Sequence, residues 1–309
     1  MDHRFSHPVP SVREEPFTLK IPRRHSAEPT LLELVPIPGG TFWMGQKQTE
    51  TLLLKQIVGE TNFKNWYARE LPRHQVTIPG FWMSKYPITQ AQYEAVMGEN
   101  PATGKAWCLI GKEWKPDHQI PEHFVHPQKP VVAVSWDMAV DFCTTLSQHL
   151  GGYAISLPTE AEWEYACRAG QQTAFSFGGK ITPEEANFDG RHTYNNSAQG
   201  NYRKTTTIVG EFPPNAWGLY DMHGNVWEWC LDQFYQDYSA KPDRLKQDGS
   251  IAWNEQNTLM IPEIDFRLLR GGSWYCLPRY CRSAFRNRSN PLTRNLNHGF
   301  RVVYRGARQ

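Results

Sequence analysis

Long apolar runs are missing from this 309-residue chain. No stretch approaches the roughly 18 residues of a membrane-spanning helix, so no membrane partner is expected. The first residues, MDHRFSHPVPSVREEP, hold no apolar core of the signal-peptide kind, and no secretory leader is expected. Cysteine is scarce. Six thiols in a chain this long do not make a disulfide framework, which points to a reduced, cytoplasmic protein. A charge bias is missing as well: the net charge is +2 with both signs mixed along the chain, which gives no electrostatic footprint for nucleic acid or a membrane surface. None of the eleven histidines forms an HxxxH or HExxH arrangement, which removes the zinc hydrolases. There is no internal repeat and no low-complexity tract, so solenoid architectures are excluded.

What is abundant is tryptophan, glycine and proline, at 12, 23 and 23 residues. That mixture suits a loop-rich fold whose irregular segments are pinned by large rings. The length allows a sizeable core. Residues 1–30 carry prolines and charges without a period and read as an extended N-terminal arm. From residue 31 to 309 the chain reads as one α+β domain. Leu31 to Met44 gives two short strands about a Pro-Gly-Gly turn, and Thr51 to Tyr67 gives a helix. His74 to Lys85 is again strand, turn, strand. Thr89 with Gln92 and Thr159 with Glu162 are capping boxes; Ser135 caps the helix between them; Gly98, Gly151 and Gly170 close the three. Residues 101–130 read as a long loop. Beyond Gly170 loops and short strands dominate, and the two termini are expected in one sheet.

The last forty residues organise the rest. Arg270 to Trp274 and Gly299 to Val303 read as strand-and-turn framework, and between them Tyr275 to His298 shows neither helical nor strand period. An irregular segment clamped between strand-like ends is where binding or catalysis is usually placed. It contains Cys276 and Cys281, a C-x4-C pair.

Several stretches together resemble one family. They are Ile37-Pro38-Gly39-Gly40-Thr41-Phe42-Trp43-Met44-Gly45, Pro130 to Trp136, Leu157 to Tyr165, Gly218 to Trp229, Leu269 to Trp274 and Gly299-Phe300-Arg301. In order and over roughly residues 31–304 the chain resembles the formylglycine-generating-enzyme (sulfatase-modifying factor) family. The resemblance implies a C-type lectin-like fold with little regular secondary structure. The family includes oxidases, ergothioneine-pathway sulfoxide synthases with an extra N-terminal iron domain, and non-catalytic binding proteins. Too little chain precedes residue 31 for the iron domain, so the synthase branch is set aside. The oxidases carry a cysteine pair at this place that binds copper and converts a substrate cysteine to formylglycine. On that reading Cys276 and Cys281 are catalytic. Two thiolates are soft ligands that select Cu(I), and a close pair can cycle between dithiol and disulfide. The chain departs from the oxidases in a shorter stretch between Cys281 and Gly299, and in Val302, where they usually place a cysteine.

The segment also resembles the variable region of proteins rewritten by diversity-generating retroelements, which mutate adenines copied from a template. In these, randomised Asn codons alternate with fixed pieces. Here the fixed pieces are Cys281-Arg282-Ser283-Ala284, Arg286, Pro291, Arg294 and Gly299 to Val303. Asn codons with both adenines randomised cannot yield Trp, Lys, Glu, Gln or Met. Those types make up roughly a fifth of the chain, yet residues 275–298 contain none. The resemblance implies a non-catalytic display protein that binds a protein or other ligand through residues 275–298. The candidate contacts are Tyr275, Cys276, Leu277, Arg279, Tyr280, Phe285, Arg288, Ser289, Leu292, Thr293, Leu296 and His298, rich in the aromatic and arginine types that dominate hot spots. Pro278, Asn287, Asn290, Asn295 and Asn297 are the other positions open to change. A single-stranded nucleic-acid ligand is not favoured, because Arg282, Arg286, Arg294 and Arg301 fall at framework positions and are expected to form structural pairs.

Asp221 to Glu228 resembles the family's calcium loop. That match implies a structural Ca2+ held by the side chains of Asp221 and Glu228 and the carbonyls of Gly224 and Val226, a donor set suited to a hard cation. The alternative is that the two acids cap and pair within a turn. Asn187 marks a second family site, for which no acidic partner is found. His223 is expected to be structural, and Cys143, Cys167 and Cys230 to be core.

Overall fold

The computed structural model describes residues 15–23, 26–110, 113–253 and 266–306. In chain order the elements are strands β1 (Phe17–Arg23), β2 (Ser26–Ile37) and β3 (Gly40–Met44), helix α1 (Gln48–Trp66), β4 (His74–Ile78), β5 (Phe81–Ser84) and α2 (Gln90–Met97). Then come β6 (Lys105–Ile110), β7 (Glu113–Gln119), α3 (Trp136–His149), β8 (Ile155–Ser156) and α4 (Glu160–Arg168). The chain ends with β9 (Trp227–Gln233), α5 (Asp243–Gln247), β10 (Arg267–Arg270), β11 (Asn287–Ser289), β12 (His298–Gly299) and β13 (Val303–Tyr304). Between α4 and β9 nearly sixty residues run as turns and bends, as an α+β fold with little regular structure requires.

Local chemistry sets the helix ends. In α2 the Thr89 hydroxyl accepts the Gln92 amide at 3.2 Å while the Gln92 side chain accepts the Thr89 amide at 2.9 Å, and Gly98 closes the helix at φ 82°. Thr159 and Glu162 repeat the box in α4 at 3.1 and 2.8 Å. The left-handed turn there falls on Ala169, one residue before the expected glycine. Ser135 caps α3, which stops at His149 with Leu150 as its C-cap, short of Gly151. Gly59, at φ 79° and ψ 161°, breaks α1 into two pieces.

Two sheets carry the architecture. The larger has the order β1-β2-β5-β13-β8, so strands from both ends of the chain share it, as the sequence led us to expect. The arm expected over residues 1–30 is, over residues 17–23 and 26–30, an antiparallel hairpin with β2 rather than a free extension; residues 1–14, 24 and 25 lie outside the described residues. Leu19 and Ile21 alternate into the core beside Leu32 and Leu34, a period that Pro22 and the flanking charges mask in the sequence. Residues 101–130 likewise differ from the expected loop: β6 and β7 form a hairpin there. Helices α2 and α3 pack beside the large sheet, with Tyr93, Phe142 and Phe300 in ring contact.

The second sheet, β11-β10-β9-β12, holds the C-terminal segment. The chain enters it on β10, returns on β11 with Leu269 opposite Asn287, and closes on β12, which runs parallel to β9 with His298 opposite Trp227. Residues 271–297 are therefore one excursion between β10 and β12 that touches the sheet midway, at β11. No helix among the described residues is long and apolar enough to cross a membrane.

Candidate functional site

Buried arginines fix the excursion from behind. Arg282 is fully buried and donates to Glu50 at 2.6 Å and to both oxygens of Glu70 at 2.8 and 2.6 Å. Its Nε also donates to the Arg279 carbonyl. Arg286 donates to Glu160 at 2.6 Å, and Arg270 to Glu164 at 2.5 Å and to the carbonyls of Ser283, Ala284 and Phe285. Arg301 makes a two-pronged pair with Glu228 at 2.7 and 2.9 Å. Arg294 has no such pair among the described residues and donates Nε to the Ala133 carbonyl. Three of the four framework arginines singled out from sequence thus form buried carboxylate pairs. A forked guanidinium holding several acceptors restrains backbone that has no ladder of its own.

In front of this web lies a cavity of about 510 Å³. Tyr275, Cys276, Leu277, Tyr280, Phe285, Asn287 and Asn297 line it from the excursion; Trp66, Asp189, Arg191 and Trp227 line it from elsewhere. Tyr280 stacks on Tyr67 at 6.2 Å and leans on Phe285 at 5.0 Å. The Asp189 amide donates to the Cys276 carbonyl at 2.9 Å, while its carboxylate is held by Arg191 at 2.8 and 2.7 Å. Asp189, Arg191 and Trp66 carried no signal in the sequence, because each reaches the excursion only through the fold.

The other candidate contacts do not converge on this cavity. Arg279 donates to the Tyr67 hydroxyl at 3.0 Å. Arg288 lies over Phe234 and Phe266 at 4.7 and 4.8 Å. Ser289 sits opposite Arg267 in the sheet, and Leu292, 70 % exposed, and Thr293 beside it are not among the residues lining the cavity. Leu296 and His298 are corrections to the expected solvent-facing surface. Leu296 is buried in a cluster with Val132, Ala133 and Trp274, and His298 is buried against Trp229, because pairing of β12 with β9 turns this end of the segment inward.

The cysteine pair divides in the same way. Cys276 is buried at the cavity wall, its Sγ 3.2 Å from the Ser273 hydroxyl; Cys281 packs behind it on Gly272. Gly272 has φ +79°, and a Cβ there would meet Cys281 Sγ at 2.5 Å. Burial pushes the Cys276 thiol up to about 11 and the Cys281 thiol well above its ordinary value. The donor type suits Cu(I), and a thiolate is the form that ligates or attacks, so a metal bound here would displace both thiol protons.

The residues of the expected calcium loop do not fit a hard cation. Both Glu228 oxygens are committed: Oε2 accepts from Arg301 and from the Trp163 indole at 2.6 Å, and Oε1 from Arg301. Asp221 accepts the Gly210 amide at 2.8 Å, and burial raises its pKa to about 6. Gly224, at φ +88°, lets the loop pass against the Asn187 carbonyl, and Val226 is buried beside it. A site whose one carboxylate is tied up by a guanidinium and an indole, and whose other already accepts from the Gly210 amide and the Asn225 side chain, offers little to Ca2+. Adding a strong calcium chelator is expected to leave the thermal midpoint unchanged within error. A fall of several degrees, reversed by calcium, would contradict this.

Two buried histidines set an acid limit. Burial lowers His223 to about 4 and His298 to about 3. His223 holds the Cys281 carbonyl at 2.8 Å and the Ser176 amide at 3.0 Å. Below its ordinary pKa each ring is protonated in the unfolded chain and neutral in the folded one. Their stabilisation is therefore complete above about pH 6.5 and lost as pH falls toward the folded values. Each contributes a loss of roughly 2 kcal/mol between about pH 7 and pH 5. Asp221 and Asp232, both raised by burial to about 6, act in the opposite sense and offset part of it. H298N isolates one contribution: urea unfolding at the two pH values should show the acid loss reduced by roughly 2 kcal/mol. An unchanged loss would remove His298 from the account.

The sequence pattern of the "Sulfatase-modifying factor enzyme 1-like domain" matches residues 21–306. The formylglycine-generating enzyme of Bos taurus is 29% identical over 97% of this chain and 80% of its own length. That of Mycobacterium tuberculosis is 29% identical over 88% and 98%. Among solved structures, PvdO from Pseudomonas aeruginosa superposes with a TM-score of 0.66 at 30% identity, covering 88% of this chain and 94% of its own. Treponema denticola variable protein 1 superposes with a TM-score of 0.65 at 21% identity, covering 94% and 99%, which shows the shared C-type lectin-like fold.

Proposed function

The chain belongs to the sulfatase-modifying factor enzyme 1-like family, and from that premise we propose that it is a non-catalytic ligand-display protein whose C-terminal surface is diversified by a retroelement. One observation carries the reading: the excursion separates by role. Of the positions resembling fixed pieces, Cys281 to Ala284, Arg286 and Gly299 to Val303 are buried, while Pro291 and Arg294 are half-buried; Arg282, Ser283, Arg286 and Arg301 are hydrogen-bonded into the framework. The positions reachable from Asn codons supply seven of the eleven residues that line the cavity. Such a division lets the ligand face change while the scaffold keeps its contacts, and a rigid scaffold limits the ordering cost of binding. The ligand is a protein or another molecule that enters the cavity.

A second reading, a copper-dependent oxidase of a protein cysteine, is favoured by Cys276 at the cavity wall with Cys281 behind it. If copper were bound, these two thiols would hold it and the metal would supply oxygen activation; Ser273 would orient Cys276, and the aromatic wall would keep water away. Val302, where the oxidases usually place a cysteine, and the shorter stretch from Cys281 to Gly299 weigh against it. The test is incubation with a cysteine-containing sulfatase peptide, copper and oxygen, read by mass spectrometry. No formylglycine is expected; formylglycine that disappears in C276S would overturn the display reading.

A further inference from the structure

We propose that the cavity takes a planar aromatic group that carries a carboxylate, and that the Arg191 guanidinium at its rim binds that carboxylate. The inference rests on the display reading in taking this cavity as the place where ligand binds. Rings supply most of the wall: Trp66, Trp227, Tyr275, Tyr280 and Phe285. Flat faces around a space of about 510 Å³ suit a flat guest, which stacks offset or edge-on.

The rim adds a cation that is held in place yet open to solvent. Arg191 lines the cavity, and its side chain is 61 % exposed. Asp189 takes only one edge of its fork, Nε at 2.8 Å and Nη2 at 2.7 Å. Tyr202 covers a face of the guanidinium at 4.5 Å, and Tyr202 is itself stacked on Trp274 at 6.4 Å. The group is therefore oriented by its edge and by its face, while its Nη1 end has no partner among the described residues. A fork ordered in advance donates to a second acceptor with little further loss of freedom.

The placement of charge favours an anionic acceptor. The Asp189 side chain is recessed, at 8 % exposure, and faces Arg191 and, at 3.8 Å, His192. A group entering the cavity meets the exposed cation before the recessed carboxylate. Among the described residues no other charged side chain lines the space. Hydrogen bonds from a guanidinium to a carboxylate are stronger than those to a neutral carbonyl. Arg191, Asp189, Trp66 and Trp227 all lie outside residues 275–298. Every version of the diversified segment would thus keep this anchor, while its own side chains select among aromatic acids.

The probes are N-acetyl-tryptophan and N-acetyl-tryptophanamide, which share the ring and differ in the carboxylate. Ligand-observed NMR titration should show the acid binding roughly fivefold tighter. Arg191→Gln should remove the preference, and Arg191→Lys, which keeps the charge but not the fork, should retain part of it. Tyr280→Asn, which takes away a ring and leaves the rim, should weaken both probes and keep their ratio. N-acetylglycine, an acid without a ring, should bind roughly tenfold more weakly than N-acetyl-tryptophan. A tripeptide ending in tryptophan that binds more tightly than N-acetyl-tryptophan would mark a chain terminus as the source of the carboxylate, and one that does not would mark a free aromatic acid; the inference holds in both cases. Equal affinity of acid and amide in the unchanged protein, a preference that survives Arg191→Gln, N-acetylglycine binding as well as N-acetyl-tryptophan, or no binding of either tryptophan probe at millimolar concentration would each overturn it. None of these outcomes bears on whether a template lies beside the gene, so the display reading stands or falls separately.

Discussion

Replacing Arg282 with methionine is expected to destabilise the protein by about 3–5 kcal/mol, the largest loss from any single change in the C-terminal segment. The guanidinium is the sole strong partner shown for Glu70 and also holds Glu50, and all three side chains are almost fully out of water. Removing it strands two carboxylates where water cannot reach them. It also frees the Arg279 carbonyl and cuts the tie between the excursion and the start of α1. Arg282→Lys should recover only part of the loss, because an ammonium cannot span both oxygens of Glu70 and still reach Glu50. Changing Arg282, Glu50 and Glu70 together to apolar residues should recover more than the lysine does, since no charge is then left unpaired. By contrast, Arg279→Asn and Arg288→Asn, at partly exposed or exposed positions, should each cost less than about 1 kcal/mol. Urea unfolding measures all five. A cost for Arg282→Met no greater than that for Arg288→Asn would mean that the buried web does not hold the segment.

The second large effect concerns binding. Tyr275→Asn combined with Tyr280→Asn should reduce affinity for N-acetyl-tryptophanamide by roughly a hundredfold, while unfolding shows a loss of only about 1–2 kcal/mol. Tyr275 is 37 % exposed at the cavity rim, so removing its ring costs the fold little. Tyr280 does more, through its contacts with Tyr67 and Phe285, but those two rings still meet edge-on at 5.7 Å without it. Separation of the two readouts is the point of the experiment: a display surface must lose its ligand without losing its fold. A double variant that unfolds as readily as Arg282→Met would place these tyrosines in the framework and contradict the division of roles.

Much of the frame was legible in the sequence because it rests on near neighbours. The capping boxes at Thr89 and Thr159 and the strands about Gly39 each depend on residues within a few positions, and each stands where it was expected. The β1 hairpin and the β6/β7 hairpin were not legible, since prolines and charges break their alternation. Long-range partners were invisible. The arginines at 282, 286 and 301 stood out, but nothing marked Glu50, Glu70 or Glu160 as theirs, at sequence separations of 126 to 232 residues. Glu228 was assigned to a metal for the same reason: the carboxylate was visible and Arg301 beside it was not. Within the excursion, the inward turn of Leu296 and His298 comes from a two-residue parallel pairing too short to leave a pattern. Trp66, Asp189 and Arg191 complete the cavity from places that only the fold brings near.

The most direct test of the account is the sequence of the DNA flanking this gene. The display reading predicts a near-copy of the stretch encoding Leu269 to Val303, differing only where the copy carries adenine, with a reverse-transcriptase gene nearby. Its adenines should fall at the codons for cavity residues such as Tyr275, Tyr280 and Asn297, and not alter those for Arg282, Arg286 or Arg301. A flank without such a copy would contradict the central claim and bring the Cys276–Cys281 oxidase reading to the front.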